Sequence, residues 1–158
     1  MKKLRIYLDT SVFGGAFDVE FADESQRLFA DIRLEKVIPL ISETLTSEVA
    51  AAPLQVQELL QEISGLNVEL LYFSEEAIEL QKEYLKAGVV TSKYADDALH
   101  VASATIARAD VIVSWNYRHL VNPVRIRAFN GVNLTHGYGT VIILTPTDIV
   151  NAMEIENE

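Results

Sequence analysis

Short apolar runs with strand character alternate with longer stretches of helical spacing along the whole chain, and this alternation predicts an α/β fold. Two further observations support it. No low-complexity linker, repeat or change of composition divides the sequence, and 49% hydrophobic residues in a chain of 158 are enough for one core. Strands joined by helices require right-handed crossovers, so the architecture expected is a three-layer α/β/α sandwich around a mostly parallel sheet of four or five strands. Residues 1–150 are read as a single domain and residues 151–158 as a C-terminal tail.

The elements follow in order. Leu4 to Leu8 is a strand that ends in Asp9-Thr10-Ser11, a carboxylate and two hydroxyls at the strand mouth. Glu24 to Leu34 places Leu28, Phe29 and Ile32 on one helical face, and Val37 to Ile41 is a second strand. Ser42 or Thr44 can cap a helix running through Leu45, Val49 and Ala52. Pro53 opens the next, because a first-turn proline loses no hydrogen bond, and Gly65 ends it. Val68 to Phe73 reads as a strand or extended connector, with Ser74 capping a helix over Glu75 to Lys86 that Gly88 closes. An alanine-rich helix spans Tyr94 to Arg108, and Val111 to Trp115 is a buried strand. A helix around Val124 to Phe129, a last strand Val141 to Leu144 and a short helix from Pro146 complete the chain.

Composition excludes several kinds of chemistry. The absence of cysteine removes disulfides, thiolate metal sites and thiol nucleophiles, and agrees with a reducing, cytoplasmic setting. No apolar run approaches the roughly 20 residues of a membrane span, and Met1-Lys2-Lys3 leads into a strand without a signal-peptide core. A net charge of −10 argues against nucleic-acid binding through one broad basic face. A local contact is still possible through Arg118, His119, Arg125 and Arg127, which otherwise read as an ordinary solvated face.

Chemistry-bearing residues fall where strands hand over to helices. Asp9 closes the first strand, Glu48 lies on the helix after the second, Asp96 and Asp97 open the alanine-rich helix, and Ser114 and Asn116 end the fourth strand. Ligands collect at such carboxyl ends of parallel strands. Carboxylates brought together there repel unless a cation screens them, which predicts a divalent metal, with hard oxygen donors favouring Mg²⁺ or Mn²⁺. Such an ion serves phosphodiester hydrolysis.

Leu8-Asp9-Thr10-Ser11, Thr46-Ser47-Glu48-Val49, Tyr94 to Ala102 and Val113-Ser114-Trp115-Asn116 resemble, in order and spacing, the four motifs of the PIN domain, over nearly the whole chain. The similarity is to single-domain members such as VapC-like toxins of toxin–antitoxin pairs. This resemblance implies a metal-dependent endoribonuclease acting on RNA, an antitoxin partner that covers the site, and Asp9, Glu48 and Asp97 as acidic metal ligands. It implies further that Ser114 supports Asp9 or a metal-bound water and that Asn116 occupies the place of a fourth carboxylate. Asparagine keeps an acceptor oxygen but removes a charge, which weakens any second metal. A homodimer is also compatible with the family.

Simpler roles stand beside these. Asp9 can cap a helix starting near Ser11, and Glu43 competes with Glu48 for the second acidic position. Asp96 and Asp97 cannot both face the site, because adjacent helical residues diverge by roughly 100°. His100 reads as a packed core histidine, with a lesser reading as a general acid; Trp115 reads as core, and His119 and His136 as surface or structural. A haloacid-dehalogenase phosphatase would need an aspartate at Ser11, and Gly14-Gly15 is no phosphate loop. The competing function is a PIN-like binding module with weak or no turnover.

Overall fold

Strand periodicity sets the architecture. In Arg5–Leu8 (β1), Ile6 and Leu8 enter one buried cluster and Tyr7 enters another on the opposite face. The computed structural model describes residues 2–156, and within them β1 is the centre of a five-stranded, wholly parallel sheet. Its other strands are β2 (Ile38–Ser42), β3 (Glu69–Leu71), β4 (Val111–Val113) and β5 (Ile143–Leu144), in the order β3-β2-β1-β4-β5. β4 repeats the division: Val111 and Val113 join Ile6 and Leu8, while Ile112 joins Tyr7.

Helices cover both faces. On the first lie α1 (Thr10–Gly15), α2 (Ala22–Arg33), α3 (Glu43–Val49), α4 (Leu54–Ser64) and α8 (Pro146–Glu156); on the second lie α5 (Glu75–Lys86), α6 (Ala95–Ile106) and α7 (Pro123–Thr135). The three-layer sandwich and its parallel sheet are as the sequence predicts. Each fully buried aliphatic side chain contributes about 1.5–3 kcal/mol relative to exposure, so packing holds these short helices more than their own propensity does.

Several boundaries differ for identifiable reasons. The helix after β2 stops at Val49 instead of reaching Ala52, and Ala50–Ala52 turn the chain before Pro53. β4 ends at Val113: Ser114 N–H still bonds to the Leu144 carbonyl, but Trp115 N–H donates to the Ser11 hydroxyl and leaves the sheet. The alanine-rich helix is preceded by a 3-10 turn over Ser92–Tyr94. α7 runs six residues past Phe129 to Thr135, held there by the buried Asn133 side chain, which bonds to Tyr84 and Thr105. α8 carries Met153 into the first cluster, so the tail expected from residue 151 overlaps this helix; residues 157 and 158 lie outside the described residues. No helix among the described residues is long and apolar enough to cross a membrane.

The strand order reverses direction around β1: its neighbours β2 and β4 are reached by crossovers on opposite sides. A crevice opens at the carboxyl ends of strands at such a point. α1 packs against the segment after β4 through Gly15, where an added Cβ would lie 2.7 Å from Trp115 and 2.9 Å from Ser25 Oγ. Trp115 cannot retreat easily, because its indole N–H donates to Ser25 at 2.7 Å and its ring stacks on Phe21. Gly15→Ala should therefore cost about 1–3 kcal/mol in urea unfolding. Gly14→Ala, with nothing within 4 Å of the new methyl group, should be neutral or mildly stabilising, and equal losses at both positions would contradict this packing.

Candidate active site

β1 delivers Asp9 to the crevice. Its N–H continues the β ladder to the Val113 carbonyl at 3.3 Å, its backbone caps α1, and its side chain is 4% exposed. The side chain makes no cap hydrogen bond to α1, so the capping reading leaves its carboxylate unused. Instead Ser11 Oγ donates to Oδ1 at 2.6 Å and Ser114 Oγ donates to Oδ2 at 2.9 Å. A carboxylate has about four lone-pair positions, so each oxygen can take one more partner. Burial pushes the Asp9 pKa upward against the pull of His100 and both serines, and Asp97 adds to the rise.

α6 brings Asp97, half-buried, to the same crevice and leaves Asp96 exposed on the neighbouring face. The Asp97 carboxyl is likewise raised, by burial first and by Glu48, although His100, His119 and the Asn116 amide act to lower it. Asn116 uses its Oδ1 to accept the His119 backbone N–H at 3.0 Å, and its own N–H donates to Ser114 Oγ at 2.9 Å. Its acceptor oxygen is thus partly committed to the turn after β4. Ser114 joins Asp9 to that turn.

α3 presents Glu48 rather than Glu43, whose carboxylate accepts the Phe73 backbone N–H at 2.8 Å on an exposed part of the surface. Glu48 Oε1 accepts from Thr10 Oγ1 at 2.9 Å and bonds to His100 Nε2. His100 is buried, and its Nδ1 meets Tyr7 Oη at 2.6 Å; Tyr7 Oη meets Ser42 Oγ at 2.8 Å, and Ser42 Oγ caps α3 by accepting Leu45 N–H. Both protonation states of His100 fit this chain, since the Tyr7 hydroxyl can either donate to Nδ1 or accept from it and donate to Ser42. Burial raises the Glu48 pKa, but the His100 bond and charge and the Thr10 hydroxyl outweigh it and hold Glu48 below its ordinary value. His100 moves the other way: burial disfavours its charge, yet Glu48, Asp9 and Asp97 raise its pKa.

The core reading of His100 therefore holds for burial and packing, and the histidine also stands where three carboxylates favour its protonated form. Tyr7 and Thr10 were not legible as site residues. Tyr7 sits in a strand position that reads as core, and a lone threonine such as Thr10 between an aspartate and a serine carries no signal of its own. Trp115 is core, as its position implies, and His136 pairs with Glu83 at 3.3 Å, away from the crevice. His119, read as surface or structural, is buried and close enough to Asp97 to affect it.

Among the described residues no group of three or more histidine, aspartate and glutamate side chains stands close enough to share one metal ion. Asp9 and Asp97 still suit a hard cation as a pair, because magnesium commonly takes one or two protein carboxylates and completes its shell with water and phosphate oxygens. Glu48, held by His100 and Thr10, belongs to the surroundings of such a pair.

No family model matches this chain, and no curated protein matches it. Among solved structures, a chain in the crystal structure of VapBC2 from Rickettsia felis bound to a DNA fragment from their promoter is similar in fold. The TM-score is 0.58 at 17% identity, over 90% of this chain and 98% of that one. The fold is thus PIN-like, as the four motifs imply.

The two directions of pKa shift give opposite stability effects. Glu48 contributes stability above its unfolded value of 4.5, lost as pH falls through the lower folded value; His100 contributes below 6.5, lost as pH rises through its higher folded value. The stability difference between the parent and Glu48→Gln in urea should peak between about pH 4.5 and 6.5 and shrink on either side; a flat profile would remove the ion pair. Burial raises the Asp9 pKa, so ionising this carboxyl in the folded protein costs stability. Asp9→Asn should raise the melting temperature by about 3 °C, on the order of 1 kcal/mol, in calorimetry at pH 7.

Proposed function

We propose that this chain is a metal-dependent endoribonuclease that hydrolyses phosphodiester bonds of RNA. The observation that carries the reading is the meeting of Asp9 and Asp97 at the carboxyl end of β1, both with elevated pKa, in a crevice also bounded by Glu48, Ser114 and Asn116. Like-charged groups held in a buried place, at a cost to stability, are characteristic of functional sites. Asp9 and Asp97 would hold Mg²⁺ or Mn²⁺, with Asn116 and the free Glu48 oxygen nearby as further oxygen donors. When bound, such an ion supplies Lewis-acid charge for a phosphoryl oxygen and acidifies a water. Ser11 and Ser114 fix the Asp9 carboxylate, and His100 with Thr10 fixes Glu48, so that neither acid must reorganise as the phosphate enters.

The likeness to a chain of VapBC2 is the ground for proposing a small antitoxin as partner and the cytoplasm as setting; a homodimer is a further proposal on the family resemblance. A second reading, a PIN-like binding module of little or no turnover, is favoured by one observation: Glu48 is engaged by His100 and does not gather with the two aspartates into a three-ligand group.

With Mn²⁺ or Mg²⁺, the parent should cleave single-stranded RNA, and Asp9→Asn or Asp97→Asn should lower the rate about 100-fold or more while circular dichroism stays unchanged. Glu48→Gln should cost about 10–100-fold, as expected of a group that orients rather than anchors. Equal cleavage by parent and both aspartate variants would reject the site. Manganese calorimetry separates the two readings: no heat of binding in the parent, together with no cleavage, leaves the binding module.

A further inference from the structure

The loops flanking Asp97 carry aromatic and cationic side chains that the carboxylate chemistry does not use. Lys93 and Tyr94 end the 3-10 turn before α6, and Tyr117, Arg118 and His119 follow Asn116 in the turn after β4. His119 is buried beneath Tyr94, with ring centroids 3.9 Å apart, and its two ring nitrogens have no hydrogen-bond partner among the described residues. Its imidazole acts here as a plate that fixes the tyrosine. Lys93 Nζ lies 5.6 Å and Arg118 Cζ 5.4 Å from the Tyr94 centroid, within the range of cation–π attraction. Tyr117, beside them, is 54% exposed.

Lys93 and Arg118 converge on one tyrosine ring in a chain that is acidic as a whole. Acidic residues outnumber basic ones by 23 to 13, and Arg5, Arg27, Arg33, Lys36 and Lys82 each pair with a carboxylate. Lys93 and Arg118 form no ion pair among the described residues. Two cations without a carboxylate partner, gathered on one tyrosine beside Asp97, favour an anionic ligand there. Two charges are too few to track a duplex backbone but enough for adjacent phosphates of one strand, and an exposed tyrosine offers a stacking face only to an unpaired base.

We propose that Lys93, Tyr94, Tyr117 and Arg118 form a docking platform for single-stranded RNA. Lys93 and Arg118 contact phosphates, Tyr117 stacks on a base, and Tyr94, backed by His119, keeps the two cations in place. The strand then passes Asp97. This assignment deepens the nuclease reading and rests on it only for what happens at the carboxylates; binding at the platform needs no metal.

Fluorescence anisotropy of a labelled single-stranded RNA oligonucleotide in EDTA tests binding apart from cleavage. Tyr117→Leu should weaken binding about tenfold and Tyr117→Phe should restore it. Lys93→Gln and Arg118→Gln should each reduce the slope of log affinity against log salt by about 0.7, while Tyr117→Leu leaves that slope unchanged. Duplex RNA of the same sequence should compete poorly. The platform is overturned by a parent that does not bind single strands, by affinities indifferent to all three substitutions, or by duplex binding as tight as single-strand binding. Cleavage with manganese but no dependence on these residues removes the platform and leaves the nuclease; Tyr117-dependent binding without cleavage does the reverse.

Discussion

The hydrogen-bonded chain from Thr10 through Glu48, His100 and Tyr7 to Ser42 is the interaction on which the centre of this molecule depends. It joins α1, α3, α6, β1 and the end of β2, and it crosses from one buried layer to the other past the carboxyl ends of the central strands. Each member fills a place that would otherwise hold a buried polar group without a partner, at a cost of about 1–3 kcal/mol. His100 also lies where Asp9, Glu48 and Asp97 raise its pKa against its burial, so a proton gained there offsets part of their mutual repulsion.

The three acids stand in unequal environments. Glu48 is matched to a partner and stays ionised readily, whereas Asp9 and Asp97 are only partly compensated by hydroxyls and more distant histidines. The partly compensated pair is the place where a further cation gains most. Hydroxyl donors suit that arrangement, because Ser11 and Ser114 orient Asp9 without neutralising it.

The fold was legible where local rules and burial agree. Alternation in Ile6-Tyr7-Leu8, the serine caps at Ser42 and Ser74, and Gly88 in the left-handed conformation each announce an element that the structure contains. Boundaries were less legible where side chains distant in sequence decide them: the Ser11 hydroxyl takes Trp115 out of β4, and Tyr84 with Thr105 extends α7 to include Asn133. Motif spacing singled out Asp9, Glu48, Asp97, Ser114 and Asn116 as candidates, and these lie at or after the carboxyl ends of strands or on the helices that follow them. Spacing could not show that Glu48 is bound to His100, nor that Tyr7 is the next link, because those contacts span 52 and 93 residues. His119 was invisible for a similar reason: its burial is created by Tyr94, from another loop.

The parallel topology has a consequence for the order of events during synthesis. β1 is made well before β4, yet the two are neighbours in the sheet, and the Asp9–Ser114 bond closes a separation of 105 residues. Parallel pairings of such long range form late, after the entropy of closing the intervening loop has been overcome. An N-terminal fragment can assemble β1, β2 and the first helices, but it lacks Asp97, Ser114 and the two cations on Tyr94. The grouping of Asp9 with Asp97 and Ser114 is therefore complete only after about three quarters of these 158 residues have been made, and a shorter chain carries Asp9 without those neighbours.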